Sequence, residues 1–165
     1  MKNVKIYFLI LIMIQLSMSL HAQNTQSNDN SQAVQLVIDK LFDGMREGDS
    51  AKVASVFGQE VNMYTSFTDK EGKKRIKKGA LEPFLKAIGT PHDQIWDEKI
   101  WNTTITIEGG IAQVWTDYAF FVGTAFSHCG VDAFHLIKDA SNQWKIVHLM
   151  DTRRKEDCHL ENIPD

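Results

Sequence analysis

Three runs near the end of the chain decide how it is read: IAQVWTDYAFFV (residues 111–122), HCGVDAFHLIK (128–138) and WKIVHLMDT (144–152). Each is rich in β-branched and aromatic residues, the composition of a strand. Asp139 to Asn142 turns the chain between the second and the third. A fourth run, Lys99 to Ile107, precedes them, and Glu108-Gly109-Gly110 turns it into the first. Long strands joined by short connections form an antiparallel meander.

Upstream the period changes. Val34, Val37, Ile38, Leu41, Phe42 and Met45 recur at steps of three and four, which is one face of a helix, and Gly48 stops it. Asp49 or Ser50 is the N-cap for a second short helix carrying Val53, Val56 and Phe57, so an αα-hairpin is expected. Val61 to Phe67 is a strand that returns over Arg75 to Lys77. Leu81, Phe84, Leu85 and Ile88 make the apolar face of a third helix, with Pro83 in its first turn and Gly89 and Pro91 at its end. Helices early and a meander late predict an α+β fold, a curved antiparallel sheet wrapped around the N-terminal helices, rather than a parallel α/β fold.

The beginning reads differently. Lys2 and Lys5 precede an apolar stretch from Ile6 to Leu16, interrupted by Gln15, and small and polar residues run to Ala22. This is the layout of a secretory signal peptide over residues 1–22, too short in its core for the roughly 20 apolar residues of a membrane anchor. Residues 23–32 are polar and rich in Asn, Gln and Ser, and read as a flexible linker. No cysteine follows the apolar core to take a lipid, so no stable membrane anchor is expected after processing.

Composition agrees with a globular domain. The 165 residues are 43% hydrophobic and 24% charged, and 18 Lys+Arg against 21 Asp+Glu give a net charge of −3. Removing residues 1–22 takes away Lys2 and Lys5 and leaves −5. Such a surface has no electrostatic reason to seek nucleic acid. The expected compartment is the periplasm or the exterior. Oxidising conditions there allow a bridge between Cys129 and Cys158, while two free thiols stay open as the alternative.

These features together are similar to a known family. Leu41-Phe42-Asp43-Gly44-Met45 with Gly48-Asp49 resembles the opening of the nuclear transport factor 2-like, or SnoaL-like, superfamily, and Trp144 to His148 resembles its last strand. Phe126 to Phe134, followed by Asp151-Thr152-Arg153-Arg154, is similar to exported bacterial proteins catalogued as putative lumazine-binding. The resemblance covers about residues 33–158, with 159–165 as a C-terminal tail. It implies a cone-shaped α+β barrel with an open-ended pocket, often a homodimer. Relatives include a ketosteroid isomerase, a dehydratase and polyketide cyclases, together with members of no known activity, so fold alone does not assign function.

Strand parity nominates the pocket wall. Ala112, Val114, Thr116, Tyr118 and Phe120 share a face, as do His128, Gly130, Asp132, Phe134 and Leu136, and as do Trp144, Ile146, His148, Met150 and Thr152. A hairpin register that sets Tyr118 near Asp132 and Phe134 near His148 gives a candidate ligand-binding surface of Tyr118, Asp132, Phe134, His148, His128 and Trp144. A few polar groups in an apolar wall is the composition of a ligand pocket. There Asp132 has two open readings: a carboxylate whose proton affinity burial raises, serving acid–base chemistry with Tyr or His, or a hydrogen-bonded polar core residue.

Other chemistry is not supported. His128, Cys129, Asp132 and His135 are close in sequence, but no Cys-x-x-Cys or His-Glu-x-x-His spacing appears, so neither metal nor cofactor is expected. Adjacent His128 and Cys129 point to opposite faces, which speaks against a nucleophilic pair. Lys70, Lys73, Lys74, Arg75, Lys77 and Lys78 form a basic hairpin, read as a solvated surface or a clamp for an acidic ligand, and Arg153-Arg154-Lys155 carries the same two readings. The function placed first is an exported protein binding an unidentified small molecule. The alternative is an isomerase, dehydratase or cyclase using the pocket Asp with Tyr or His. An interaction module that dimerises through Trp115, Phe121, Val147 and Leu149 is the third.

Overall fold

In the computed structural model, residues 29–163 are described. The expected signal peptide, and the linker as far as residue 28, lie outside them. Helix α1 occupies residues 29–47, so residues 29–32, expected as linker, are helical. Its apolar stripe buries Val34, Ile38, Leu41, Phe42 and Met45. Gly48 ends it at φ +68°, a left-handed geometry that glycine adopts without a steric penalty. Helix α2, Ser50–Ala54, is capped by Asp49, whose carboxylate accepts from the Lys52 backbone N–H at 2.8 Å. Phe57 leaves that helix and opens the first strand, packing edge-to-face on Phe84 at 6.3 Å.

The strands are β1 Phe57–Thr68, β2 Lys74–Gly79, β3 Trp96–Glu108, β4 Ile111–Val122, β5 Ala125–Lys138 and β6 Trp144–Arg153. Helix α3, Leu81–Gly89, lies between β2 and β3. One six-stranded sheet runs in the order β2-β1-β6-β5-β4-β3. Its pairings are antiparallel except β1 with β6, which is parallel. The fold is α+β, as expected, with the sheet curved and unclosed about the helices.

Bulges bend the sheet, since each inserts an unpaired residue and raises the local twist. They fall at Trp101/Thr104 on β3, at Phe120/Phe121 between β4 and β5, and at His135/Leu136 against Ile146 and His148 on β6. The concave face packs Val114, Phe134, Leu136, Trp144 and Ile146 on the stripe of α1. A second cluster forms around Trp101, Ala119 and Cys129, with Phe121, Phe126, Cys158 and Ile163 against it. Cys129 and Cys158 are joined there by a disulfide. It fixes the segment that leads to the short 3₁₀ helix Leu160–Asn162.

Candidate functional site

Between the helices and the concave sheet lies a cavity of about 860 Å³. Leu41, Phe42 and Met45 of α1, Met63, Thr65 and Phe67 of β1, and Pro83 and Phe84 of α3 line one side. Glu98, Tyr118, His128, Asp132, Phe134, Leu149, Asp151 and Arg153 line the sheet side, and exposed Lys77 and Lys78 stand at its rim.

Its centre of charge is a pair of acids. Asp132 on β5 and Glu98 on β3 both line the cavity, and their carboxyl groups interact. Burial pushes Asp132 well above the usual carboxylate range, with the charge of Glu98 and its hydrogen bond adding to the effect. Burial likewise pushes Glu98 up to about 7, against the opposing pull of the Asp132 hydrogen bond. Asp132 and Glu98 therefore act as a pair that shares a proton. Two carboxylates in contact away from water cannot both ionise cheaply, so the pair keeps at least one proton at neutral pH.

Beside it Asp151 accepts from Thr65 Oγ1 at 2.6 Å through one oxygen and from Arg153 Nε at 2.7 Å through the other. Tyr118 donates its hydroxyl proton to the Thr152 carbonyl at 2.9 Å, with Asp151 Oδ2 at 3.4 Å. That bond runs over Gly130, where a Cβ would sit 1.8 Å from Thr152 O and 2.8 Å from the Tyr118 ring, so only glycine fits. Burial, then the nearby acids, raise the Tyr118 phenol, which stays protonated. Burial and the charge of Arg153 push the His128 imidazole down to about 4, so it faces the cavity neutral. Its ring lies against Phe120 at 5.2 Å and Tyr118 at 5.7 Å, and its Nδ1 is 3.0 Å from Ser127 Oγ. Burial of Arg153 lowers its proton affinity, but the charge of Asp151 and its hydrogen bond outweigh this and hold the guanidinium above its usual value.

Of the residues nominated from parity, Tyr118, His128, Asp132 and Phe134 reach the cavity, and His148 and Trp144 do not. Trp144 is core, 5% exposed, with Lys138 Nζ 5.0 Å from its ring centre. The expected register is corrected: Tyr118 pairs with Gly130, Asp132 with Thr116 and Asp151, and Phe134 with Leu149 rather than His148. The cause is one residue. β5 residues Leu136 and His135 pair with Ile146 and His148, so Val147 is the extra residue of a bulge. Beyond it the parity of β6 inverts. His148, Met150 and Thr152 leave the inner face, and Leu149, Asp151 and Arg153 take their places. Leu149 is thereby removed from the face proposed for dimerisation, where Trp115 remains 51% exposed.

Glu98 was hidden for the same reason. Ile105 and Ile107 pack on the core, and simple alternation would then turn Glu98 outward. The irregularity at Trp101/Thr104, with Asn102 at φ +51°, resets the count, so that Ile100 and Glu98 face in. For Asp151 and Arg153 the sequence does carry a signal, the Asp151-Thr152-Arg153 run, whose alternate positions share one face of β6.

A curved sheet folded over three helices, with a cavity on its concave side, defines the nuclear transport factor 2-like class. The family described as "Putative lumazine-binding" matches residues 29–150, more than half of the chain, and the chain belongs to it. Among solved structures it is similar to an NTF2-like protein with a cystatin-like fold from Novosphingobium aromaticivorans, at 11% identity, covering 86% of this chain and 91% of that one, TM-score 0.65. It is also similar to a "putative ketosteroid isomerase" from Shewanella frigidimarina, at 20% identity, covering 72% and 94%, TM-score 0.54. A "putative dehydratase from the NTF2-like family" from Streptomyces avermitilis matches at 12% identity, 78% and 98% coverage, TM-score 0.57. At these identities the likeness is one of fold. No curated protein matches. Among the described residues no helix is long and apolar enough to cross a membrane.

Proposed function

We propose that this chain is an exported binder of a small molecule with a largely apolar body and one neutral hydrogen-bonding group, held in the cone with that group against Asp132 and Glu98. The observation that carries the reading is the interacting carboxyl pair on a cavity wall whose apolar part is made by Phe42, Met45, Phe84, Phe134 and Leu149. A protonated acid pair both donates and accepts, so it selects a hydroxyl or carbonyl and disfavours a ligand anion at the same spot. Lys77 and Lys78 at the rim leave room for a negative substituent further out. The family's description is consistent with a small-molecule ligand. Export is supported by the charged, short-cored N-terminal segment and agrees with the Cys129–Cys158 disulfide.

A second reading rests on Glu98. A carboxyl poised at about 7 beside a proton-holding Asp132 can take a proton from a bound carbon acid and return it elsewhere, which is the requirement of an isomerase or dehydratase. The first test is binding of 2-naphthol, an apolar bicycle with one hydroxyl, followed by its fluorescence. Wild type is expected to bind saturably. Met45→Trp, which fills the cavity, abolishes the signal, and Asp132→Asn weakens binding about tenfold, the worth of one hydrogen bond of about 1.4 kcal/mol. Equal binding by wild type and both variants would refute the site.

A further inference from the structure

The face of the sheet turned away from the cavity carries an arrangement that the pocket does not use. His135 on β5 and His148 on β6 are direct cross-strand partners. Their Nδ1 atoms face each other at 2.9 Å, with ring centroids 5.1 Å apart and planes inclined by 33°. His135 is exposed and His148 half-buried. The Val147 bulge creates the pair, because it turns His148 outward to meet His135.

We propose that His135 and His148 form a chelating site for a divalent transition-metal ion of the copper, nickel or zinc class, completed by water. Imidazole nitrogen suits these ions, and Cu²⁺ binds a given nitrogen set most tightly. Geometry favours the same ion. Two nitrogens at right angles on a metal at about 2.0 Å stand about 2.8 Å apart, whereas the tetrahedral angle separates them by about 3.3 Å. The observed separation of 2.9 Å is close to the spacing of the square arrangement that Cu²⁺ and Ni²⁺ prefer, and rotation of the two rings would turn their nitrogens from each other toward a common ion.

Both nitrogens are held on neighbouring strands of a paired ladder, so little freedom is lost when the ion bridges them. One Nδ1 must donate to the other in the free pair, and the incoming ion displaces that proton. Across the same row the register sets Asn62 of β1 beside His148 and Gln113 of β4 beside His135, so no carboxylate of these strands stands directly alongside to compete by pairing with a charged imidazole. Among the described residues no group of three or more His, Cys, Asp and Glu gathers to hold a metal. The site therefore offers two protein ligands and leaves the remaining positions to solvent.

The experiment is a titration of the chain with Cu²⁺ alone, read by calorimetry and by electron paramagnetic resonance. One ion per chain is expected at this site, with hyperfine splitting from two imidazole nitrogens. His135→Gln and His148→Gln should each weaken it at least about tenfold, the loss of an intramolecular second ligand. The double variant should be little worse than either single one. In proton NMR of the unmodified chain, two of the six histidine signals, those of His135 and His148, should broaden first as Cu²⁺ is added. Equal Cu²⁺ affinity in wild type and the double variant, or broadening that begins at other histidines, would reduce the pair to a hydrogen bond and overturn the proposal. Neither residue lines the cavity, so 2-naphthol binding tests the cavity reading separately.

Discussion

Replacing Asp132 by Asn removes the proton-holding half of the buried acid pair, and its effect on stability should change sign with pH. Asp132 and Glu98 both have proton affinities raised by folding, Glu98 from 4.5 to about 7 and Asp132 well above 3.8. Groups of this kind contribute stability below their unfolded pKa values, and that stability is lost as pH rises through the folded ones. His128, lowered from 6.5 to about 4, and His148, also lowered, act in the opposite direction. Their contribution is present above 6.5 and is lost as pH falls toward the folded values. Above pH 6.5 the histidines are therefore neutral in both states, and the acid pair is isolated. Over each pH unit above about 7 in which the folded chain keeps the Asp132 proton that the unfolded chain has lost, stability falls by about 1.4 kcal/mol. Two such units cost the wild type about 3 kcal/mol, or roughly 6–12 °C in Tm. In the variant the Asn amide donates to an ionised Glu98, so the loss should shrink to below about 1 kcal/mol. The two profiles then cross, with Asp132→Asn the more stable protein at the alkaline end. Urea unfolding at three pH values and fixed ionic strength, without reductant, measures this. A wild-type profile that is flat across the window, or a variant profile parallel to it, would refute the shared-proton argument.

Gly130→Ala should lower stability by about 3 kcal/mol or more, read by the same unfolding assay, because its Cβ would collide with the Thr152 carbonyl at 1.8 Å and force apart the Tyr118 hydrogen bond beneath it. Protein isolated from its native host should begin near Gln23, and non-reducing mass spectrometry should find Cys129 and Cys158 two protons lighter than free thiols; an intact Met1 or two alkylatable thiols would count against export and bridge respectively.

The fold was legible because its elements follow strong local patterns. β4 occupies Ile111–Val122, the run read from its β-prone composition, and α3 extends the expected helix by a single residue at Gly89. The parallel pairing of β1 with β6 was not legible, since nothing in two strands with four others between them in sequence specifies that they adjoin. The site was legible only as far as alternation held. On β4 and β5 the parity from Ala112 to Tyr118 and from His128 to Leu136 is the parity of the structure, and Tyr118, His128, Asp132 and Phe134 were placed from it. On β6 it failed at Val147, an ordinary strand residue whose role as a bulge comes from the pairing around it rather than from its own chemistry. On β3 the reset lies beside Asn102, a residue type that tolerates positive φ, but one asparagine in a strand is too common a feature to locate an inversion. Half of the polar wall, namely Glu98, Asp151 and Arg153, was lost to these two single-residue events.

The Cys129–Cys158 bond closes a covalent ring that contains β5 from Cys129 onward and the whole of β6. Asp132, Phe134, Leu149, Asp151 and Arg153 lie within that ring, whereas Glu98 and Tyr118 lie outside it. A protease that cuts the exposed turn around Ser141 would therefore release no fragment, and the two strands would remain tethered at their far ends. The wall that carries Asp132 and Arg153 is linked as a closed loop, so its connectivity does not depend on the helices that pack over it.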